Sequence, residues 1–359
     1  MLKNFYCGIL VIFFLSIVLI GCSQGKEEVT KVTKEPISST EQFVIEELMT
    51  KDNLLRTDLT QQKDVFLSES VGLWLTYLLE KDDQARFDEQ FEVINHYFLE
   101  KKFIVWRIDG KKQATVNALI DDLRIMRALF DAGEKWNDER YISLGKTIGK
   151  NIVKYGMQKG TFVDFVDVHT HKKANTITLS YIMPSALLKM RQYDVLSKEQ
   201  LEQQLSILAK APKAQAGFFP KYYDVVTNNY EYDTELHMID QLYTAYHSAT
   251  LGLETKPFTN WMLSLYSRDQ KLYGRYDATT GEPAVSFESP AVYAMATRYM
   301  LEIHNDRMAE EFFRKMESLK ADANTGYVDV QTNATHIFDN LLPLLAEREV
   351  DNANSNKME

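Results

Sequence analysis

Cysteine is nearly absent from this chain: of 359 residues only Cys7 and Cys22 carry a thiol. Beyond residue 22 that excludes a disulfide, a cysteine-ligated metal and a cysteine nucleophile, so whatever folds there is held together by its core alone. Basic residues are outnumbered, 41 Lys and Arg against 51 Asp and Glu, for a net charge of −10. The surface charges are mixed and no basic patch stands out. This disfavours nucleic acid and anionic lipid as partners and leaves a neutral or cationic ligand. Long apolar runs are missing after residue 20, and alternating apolar and polar residues are scarce, so neither a membrane span nor a β architecture is expected downstream.

What is present begins with Lys3 as the only early charge, an apolar run over about 9–20, and small and polar residues around Cys22. That three-part layout is a secretion signal, assigned to residues 1–21. The segment Leu19, Ile20, Gly21, Cys22 resembles the bacterial lipobox. The resemblance implies that Cys22 is lipidated and becomes the N-terminus of a protein tethered to the outer face of the cell membrane. Two acyl chains suffice for stable anchoring. Residues 22–40 are polar and nearly devoid of large apolar side chains, and read as a flexible tether. Residues 41–348 form the folded domain, and 349–359 a disordered tail.

Within the domain, apolar residues recur at intervals of three and four. The pattern predicts twelve helices, at about 41–54, 66–80, 84–99, 116–133, 138–155, 178–191, 197–209, 235–252, 256–266, 289–304, 306–320 and 334–347. Ser68, Ser197 and Ser289 are expected N-caps, and Gly156 and Gly252 expected stops. Short links at 82–83, 137 and 305 alternate with long ones at 100–115, 156–177, 210–234 and 267–288. Helices paired in antiparallel hairpins, with the long links on one side, predict an all-α fold, a closed (α/α)6 barrel of six hairpins. In such a ring every second helix runs the same way. The N-terminal ends of helices two, four, six and eight then share one mouth, which brings together Glu69, Asp121, Asp122 and Asp233.

Leu67 to Leu79, LSESVGLWLTYLL, resembles the SEGMGYGM segment of glycoside hydrolase family 8. Ala118 to Trp136, ALIDDLRIMRALFDAGEKW, is similar to that family's ATDGDLDIAYALLLAHEQW signature, with Trp106 where the family has a tryptophan ahead of it. The stretch YDTELHMIDQLY from Tyr232 resembles the segment that holds the family's base. The resemblance implies Glu69 as general acid and Asp233 as base, with Asp122 on the second signature aspartate. The first signature aspartate falls on Ile120, and its role passes to Asp121 or is lost. The family's Gly-rich stretch is thinned to Gly72, and Glu235, Leu236 and His237 replace its Arg-Val-Pro.

Inverting cleavage of a glycosidic bond needs a protonated carboxyl beside the leaving oxygen and an ionised one across the sugar, about 6.5–9.5 Å apart to admit a water. A helix N-terminus lowers the pKa of Glu69. Nearby carboxylates at Asp121 or Asp122 supply the opposing push that keeps its proton. Trp106 and the loop tyrosines Tyr222, Tyr223, Tyr230 and Tyr232 are candidate sugar platforms. Trp74, Trp136 and Trp261 lie at helical spacing and read as core. His169 and His171 share a loop with Asp164 and Asp167, which reads as solvated polarity. No metal and no cofactor is assigned. The expected activity is that of an inverting endo-glycosidase on a β-linked exopolysaccharide or cell-surface glycan, with an exopolysaccharide synthesis machinery as a partner. The alternative is a catalytically inactive barrel that binds glycan and assists its export. A lyase on the same barrel would want an Arg and Lys cluster, and none is present.

Overall fold

The computed structural model describes residues 37–322, 325–329 and 331–358. The signal at 1–21, Cys22 and most of the tether lie outside the described residues. Among them are twelve α-helices: α1 Ser39–Phe43, α2 Ser68–Glu80, α3 Gln84–Val93, α4 Leu119–Trp136, α5 Glu139–Tyr155, α6 Pro184–Gln192, α7 Lys198–Ala209, α8 Met238–Thr250, α9 Lys256–Asp269, α10 Pro290–Glu302, α11 Asp306–Glu317 and α12 Phe338–Met358. Each overlaps a segment expected from the periodicity, with α1 starting earlier and α4, α6, α9 and α12 ending later than expected. A π turn, Val44–Leu48, prolongs α1, and another, Ile94–Phe98, prolongs α3. None of the described helices is long and apolar enough to cross a membrane.

The even-numbered helices form the inner ring. α2 packs on α4, α4 on α6, α8 on α10, α10 on α12, and α12 closes the circle on α2. Between α6 and α8 the contact is carried by the 3₁₀ turn Leu179–Tyr181 just ahead of α6. The inner helices are apolar nearly all round, as burial on every side demands: nine consecutive residues of α10, Val292 to Met300, are buried. Five short hairpin turns join each inner helix to the next outer one. The sixth pair is made from the two ends of the domain, α12 with α1. There Thr40 Oγ1 donates to Glu347 Oε1 at 3.0 Å, and the buried carboxylate of Glu41 takes Tyr77 O–H at 2.8 Å, Arg86 at 3.0 Å and the ammonium of Lys81.

Several helix boundaries have side-chain causes. Ser197 closes a reciprocal capping box with Gln200, and Ser289 caps α10, where Pro290 occupies the first turn. Ser68 does not cap α2: it is the first helical residue, and its hydroxyl points to another helix. Thr40 is buried and Ser38 caps α1, so order begins inside the expected tether. At the other end α12 runs on to Met358 where a disordered tail is expected for 349–359. No Pro or Gly interrupts that stretch, and Arg298 of α10 donates to Glu349 Oε1 from Nε at 2.9 Å and from Nη2 at 2.7 Å, which carries the helix past the barrel edge.

The long links are not plain coil. They hold ribbons with strands of two or three residues, such as Val65–Leu67 on Arg107–Asp109 and Tyr222–Asp224 on Asn229–Glu231. Strands this short display too few residues for alternation to be legible. Four links share one turn: Asp167 to Thr170, Asp224 to Thr227, Asp277 to Thr280 and Asp329 to Thr332. In each, one aspartate oxygen accepts the backbone N–H of the second and third residues on, at 2.7–3.0 Å. The residue after the threonine, His171, Asn228, Gly281 or Asn333, has φ between 54° and 69°. The Asp side chain thus substitutes for backbone turn geometry. The N–H groups, that of the threonine foremost, hold all four carboxyls below the usual range.

Candidate active site

The short ribbon of Val65–Leu67 delivers the chain into α2 so that Ser68 N–H donates to the carbonyl of Trp106 at 3.0 Å. The backbone of Trp106 is thus tied to the residue before Glu69, while its ring is exposed, with the Arg107 guanidinium over it at 5.9 Å. Ser68 Oγ donates to Asp121 Oδ2 at 2.6 Å, and the backbone N–H of Glu69 also donates to Asp121. Two hydrogen bonds therefore weld the first turn of α2 to the first turn of α4.

Glu69 has its carboxyl pushed up to about 7. Burial is the largest cause, followed by the charge of Asp121; Arg124 opposes, and Asp240 and Asp339 add to the rise. The helix N-terminus alone would lower it, so desolvation and crowding win. Arg124 is 5 % exposed, with its guanidinium 3.5 Å from Asp121 and 5.8 Å from the ring centre of Tyr243. It passes over Gly72, where a Cβ would meet Arg124 Cδ at 3.1 Å. The signature quoted above has Asp at the position of Arg124, so this chain places a buried cation where the family signature has an acid.

Asp240 and Asp339 stand in the first turns of α8 and α12. Ser180, in the 3₁₀ turn before α6, donates to Asp240 Oδ1 at 2.8 Å. Ser289, the N-cap of α10, donates to Asp339 Oδ1 at 2.5 Å, and Ala291 N–H donates to the same oxygen at 3.1 Å. All six inner helices thus contribute at the mouth, four with a carboxylate and two with a serine that orients one.

Asp122 and Asp233 are placed differently from these. Asp122 is 1 % exposed, and its Oδ2 accepts from Asn117 Nδ2 at 2.6 Å, while Asn117 Oδ1 accepts Val166 N–H at 2.6 Å. It fastens the link before α4 to the link before α6. Burial raises its carboxyl well above the usual range, and Oδ1 has no partner among the described residues. For Asp233, partial burial opposes the charge, but Lys221 at 2.5 Å and the N–H of Thr234 hold the carboxyl below the usual range. The foremost charges acting on Glu69 are those of Asp121, Arg124, Asp240 and Asp339.

Of the candidate platforms, exposed Trp106 is joined through its carbonyl to Ser68, the neighbour of Glu69. Tyr222 is half-buried in a ribbon beside Thr178. Tyr223 and Tyr230 pack on one another, and Tyr230 O–H donates to Ile207 C=O of α7 at 2.6 Å. Tyr232 is exposed, with its hydroxyl on Pro212 C=O. Trp74 and Trp261 are buried, and Trp136 is half-buried with Nε1 on Asp82. His171 stacks on Tyr155 at 4.3 Å and His169 Nδ1 meets Lys101 Nζ at 2.9 Å. No group of metal-ligating side chains occurs among the described residues. Arg124, Asp339 and Ser180 were outside the residues singled out from sequence, and Ser289 was singled out only as a helix cap. An acid in the first turn of α8 and α12, as in α2 and α4, is the signal that finds Asp240 and Asp339.

A barrel whose inner helices aim carboxyls at one mouth, with one acid held near neutrality, is the arrangement of a glycosidase. The sequence agrees: residues 35–247 match the glycosyl hydrolases of family 8, and the chain belongs to that family. It is 37 % identical over 355 residues to YdaJ of Bacillus subtilis (strain 168), which bears a lipoprotein name, covering 96 % of this chain and 97 % of that one. Among solved structures it is similar to PssZ from Listeria monocytogenes, 27 % identical with a TM-score of 0.74, covering 87 % of this chain and 96 % of that one. A novel α-amylase from Clostridium perfringens shares the fold at 22 % identity, with a TM-score of 0.78 and the same coverage of 87 % and 96 %. The chain is therefore a glycoside hydrolase on an (α/α)6 barrel.

Proposed function

We propose that the protein is an inverting endo-glycosidase, tethered outside the cell membrane through Cys22, that cuts a β-linked exopolysaccharide or cell-surface glycan. The observation that carries this reading is Glu69, whose carboxyl is held up to about 7 by burial and by Asp121, Asp240 and Asp339. A general acid near the working pH combines the correct protonation state with the drive to transfer the proton. Glu69 protonates the leaving oxygen. Asp240, oriented by Ser180, replaces Asp233 as our choice of base, because Asp233 is neutralised by Lys221 while Asp240 bears on Glu69. Trp106, tied to the start of α2, offers a sugar face. The lipoprotein name of YdaJ supports the anchor.

The inactive-barrel reading keeps one observation in its favour, the Ile120 in place of the first signature aspartate. The separating experiment incubates residues 23–359 with β-glucans, chitosan, xylan, starch and the host's own exopolysaccharide, and follows reducing ends. Wild type is expected to cut one of the β-linked polymers and Glu69→Gln to lose about 10²–10⁴-fold in kcat. Asp240→Asn should fall as steeply and Asp233→Asn should not. Binding without cleavage by wild type would make the protein a glycan-binding barrel, and wild-type activity in Glu69→Gln would place the acid elsewhere.

A further inference from the structure

The link between α9 and α10 carries an aromatic ring that the reaction just described does not use. Phe287 is 54 % exposed, an unusual position for a phenylalanine in a chain that buries most of its aromatic rings. The ring is not loose. A Cβ built on Gly274 would lie 2.6 Å from Phe287 Cε2, so one side of the ring rests on bare glycine backbone. The φ of Gly274 is not in the left-handed region, so here the absence of a side chain matters for room and not for conformation. The backbone beneath is fixed as well: Gly274 N–H donates to Phe287 C=O at 3.3 Å, and Gly274 C=O accepts from Met238 N–H at 3.0 Å. One face of Phe287 is packed on a rigid support and the rest meets solvent.

Its place in the ring of helices gives that face a purpose. Met238, bonded to Gly274, opens α8 two residues ahead of Asp240. Ser289, two residues past Phe287, holds Asp339 at 2.5 Å. Phe287 therefore stands on the rim between Asp240 and Asp339, two of the three carboxylates that bear on Glu69, across the mouth from α4. It lines a groove together with Tyr327, Val328, Ala334, His336 and Asp339. In that groove His336 Nδ1 accepts Phe338 N–H at 3.2 Å, and burial pushes the imidazole pKa down against the pull of Asp339 and Asp58. An acceptor at Nδ1 puts the proton on Nε2, leaving one donor for a hydroxyl.

We propose that Phe287, backed by Gly274, is a stacking platform for one pyranose ring of the polymer, an uncharged or amino sugar and not a uronate. A pyranose offers an apolar C–H face to a flat ring, and an immobilised ring loses little entropy on binding. Asp240 and Asp339 to either side repel a sugar carboxylate. The inference rests on the hydrolase reading for the location of the cleft, and it assigns to the groove a sugar subsite with Phe287 as floor and His336 as hydroxyl donor.

The test uses residues 23–359 and the polymer that wild type cleaves in the panel above. Phe287→Ala is expected to raise KM about two- to tenfold with kcat little changed, as loss of binding common to ground and transition states requires. It should also shift the product-length distribution. Phe287→Trp keeps a face and should stay near wild type. Gly274→Ala displaces the ring and should raise KM, and the double variant should be no worse than Phe287→Ala alone, because both remove one platform. Polygalacturonate at high concentration should not inhibit. Wild-type KM and products in Phe287→Ala, or additive effects of the pair, overturn the platform and leave the hydrolase standing. If wild type binds a polymer without cutting it, a Phe287→Ala Kd weakened by the same factor supports the platform while the hydrolase reading falls. If no polymer is bound or cut, both fall.

Discussion

Glu69 is governed by opposed terms: the helix end and Arg124 favour its charged form, while burial and three carboxylates disfavour it. The carboxyl settles at about 7, up from 4.5. In the proposed role of general acid it must be protonated, so kcat/KM should fall on the alkaline side with an apparent pKa near 7. Asp339→Asn removes one of the charges that raise it, and the alkaline limb should move to lower pH. A pH profile of the variant that keeps its limb at or above the wild-type position would show that Asp339 does not act on the acid. The stability linkage has the matching sign. A carboxyl raised in the folded state contributes stability that is fully present below about 4.5 and is lost as pH rises through about 7. Asp167, Asp224, Asp277 and Asp329, lowered by turn N–H groups, contribute the opposite way, with stability present above the ordinary 3.8 and lost in acid.

Helix periodicity, caps and breakers are local, so all twelve helices were legible in the sequence, as were the N-cap at Ser197 and the stop at Gly156. Ser68 looked like a cap because Ser before an apolar run usually is one. Its hydroxyl instead found Asp121, a partner 53 positions away that only the packing of α2 on α4 supplies. The same packing explains Gly72: in sequence it is a helix-weakening residue, in the fold it is the clearance for Arg124. Element closure makes its own prediction. Glu41 is buried among Lys81, Arg86 and Tyr77 and clasps α1 to α2 and α3. Glu41→Ala leaves Lys81 nearly buried and unpaired, and should destabilise the domain by about 3 kcal/mol, read as a lower urea midpoint with unchanged m-value. A midpoint within error of wild type would mean that the clasp carries no net stability.

At the scale of the molecule, the proposed export and anchoring rest on the N-terminal segment. Cys22→Ala is expected to yield either an uncleaved precursor or protein released to the medium, checked by fractionation and by the mass of the mature chain. Normally processed Cys22→Ala protein that stays on the membrane would show that another feature holds it. The deficit of cysteine is answered inside the barrel by an apolar inner ring closed by α12 on α2. By itself the sequence determined the helices, their alternation of short and long links, and the family through its first two motifs, because each is written in near neighbours along the chain. It also placed Glu69 and Asp121 at helix starts on a shared rim. Which carboxylates meet was decided by the tertiary structure: Asp240 and Asp339 act on Glu69, whereas Asp233, one short strand earlier in the chain, is turned to Lys221. Charge and burial act across space, and residues 69, 121, 240 and 339 become neighbours only when the ring closes.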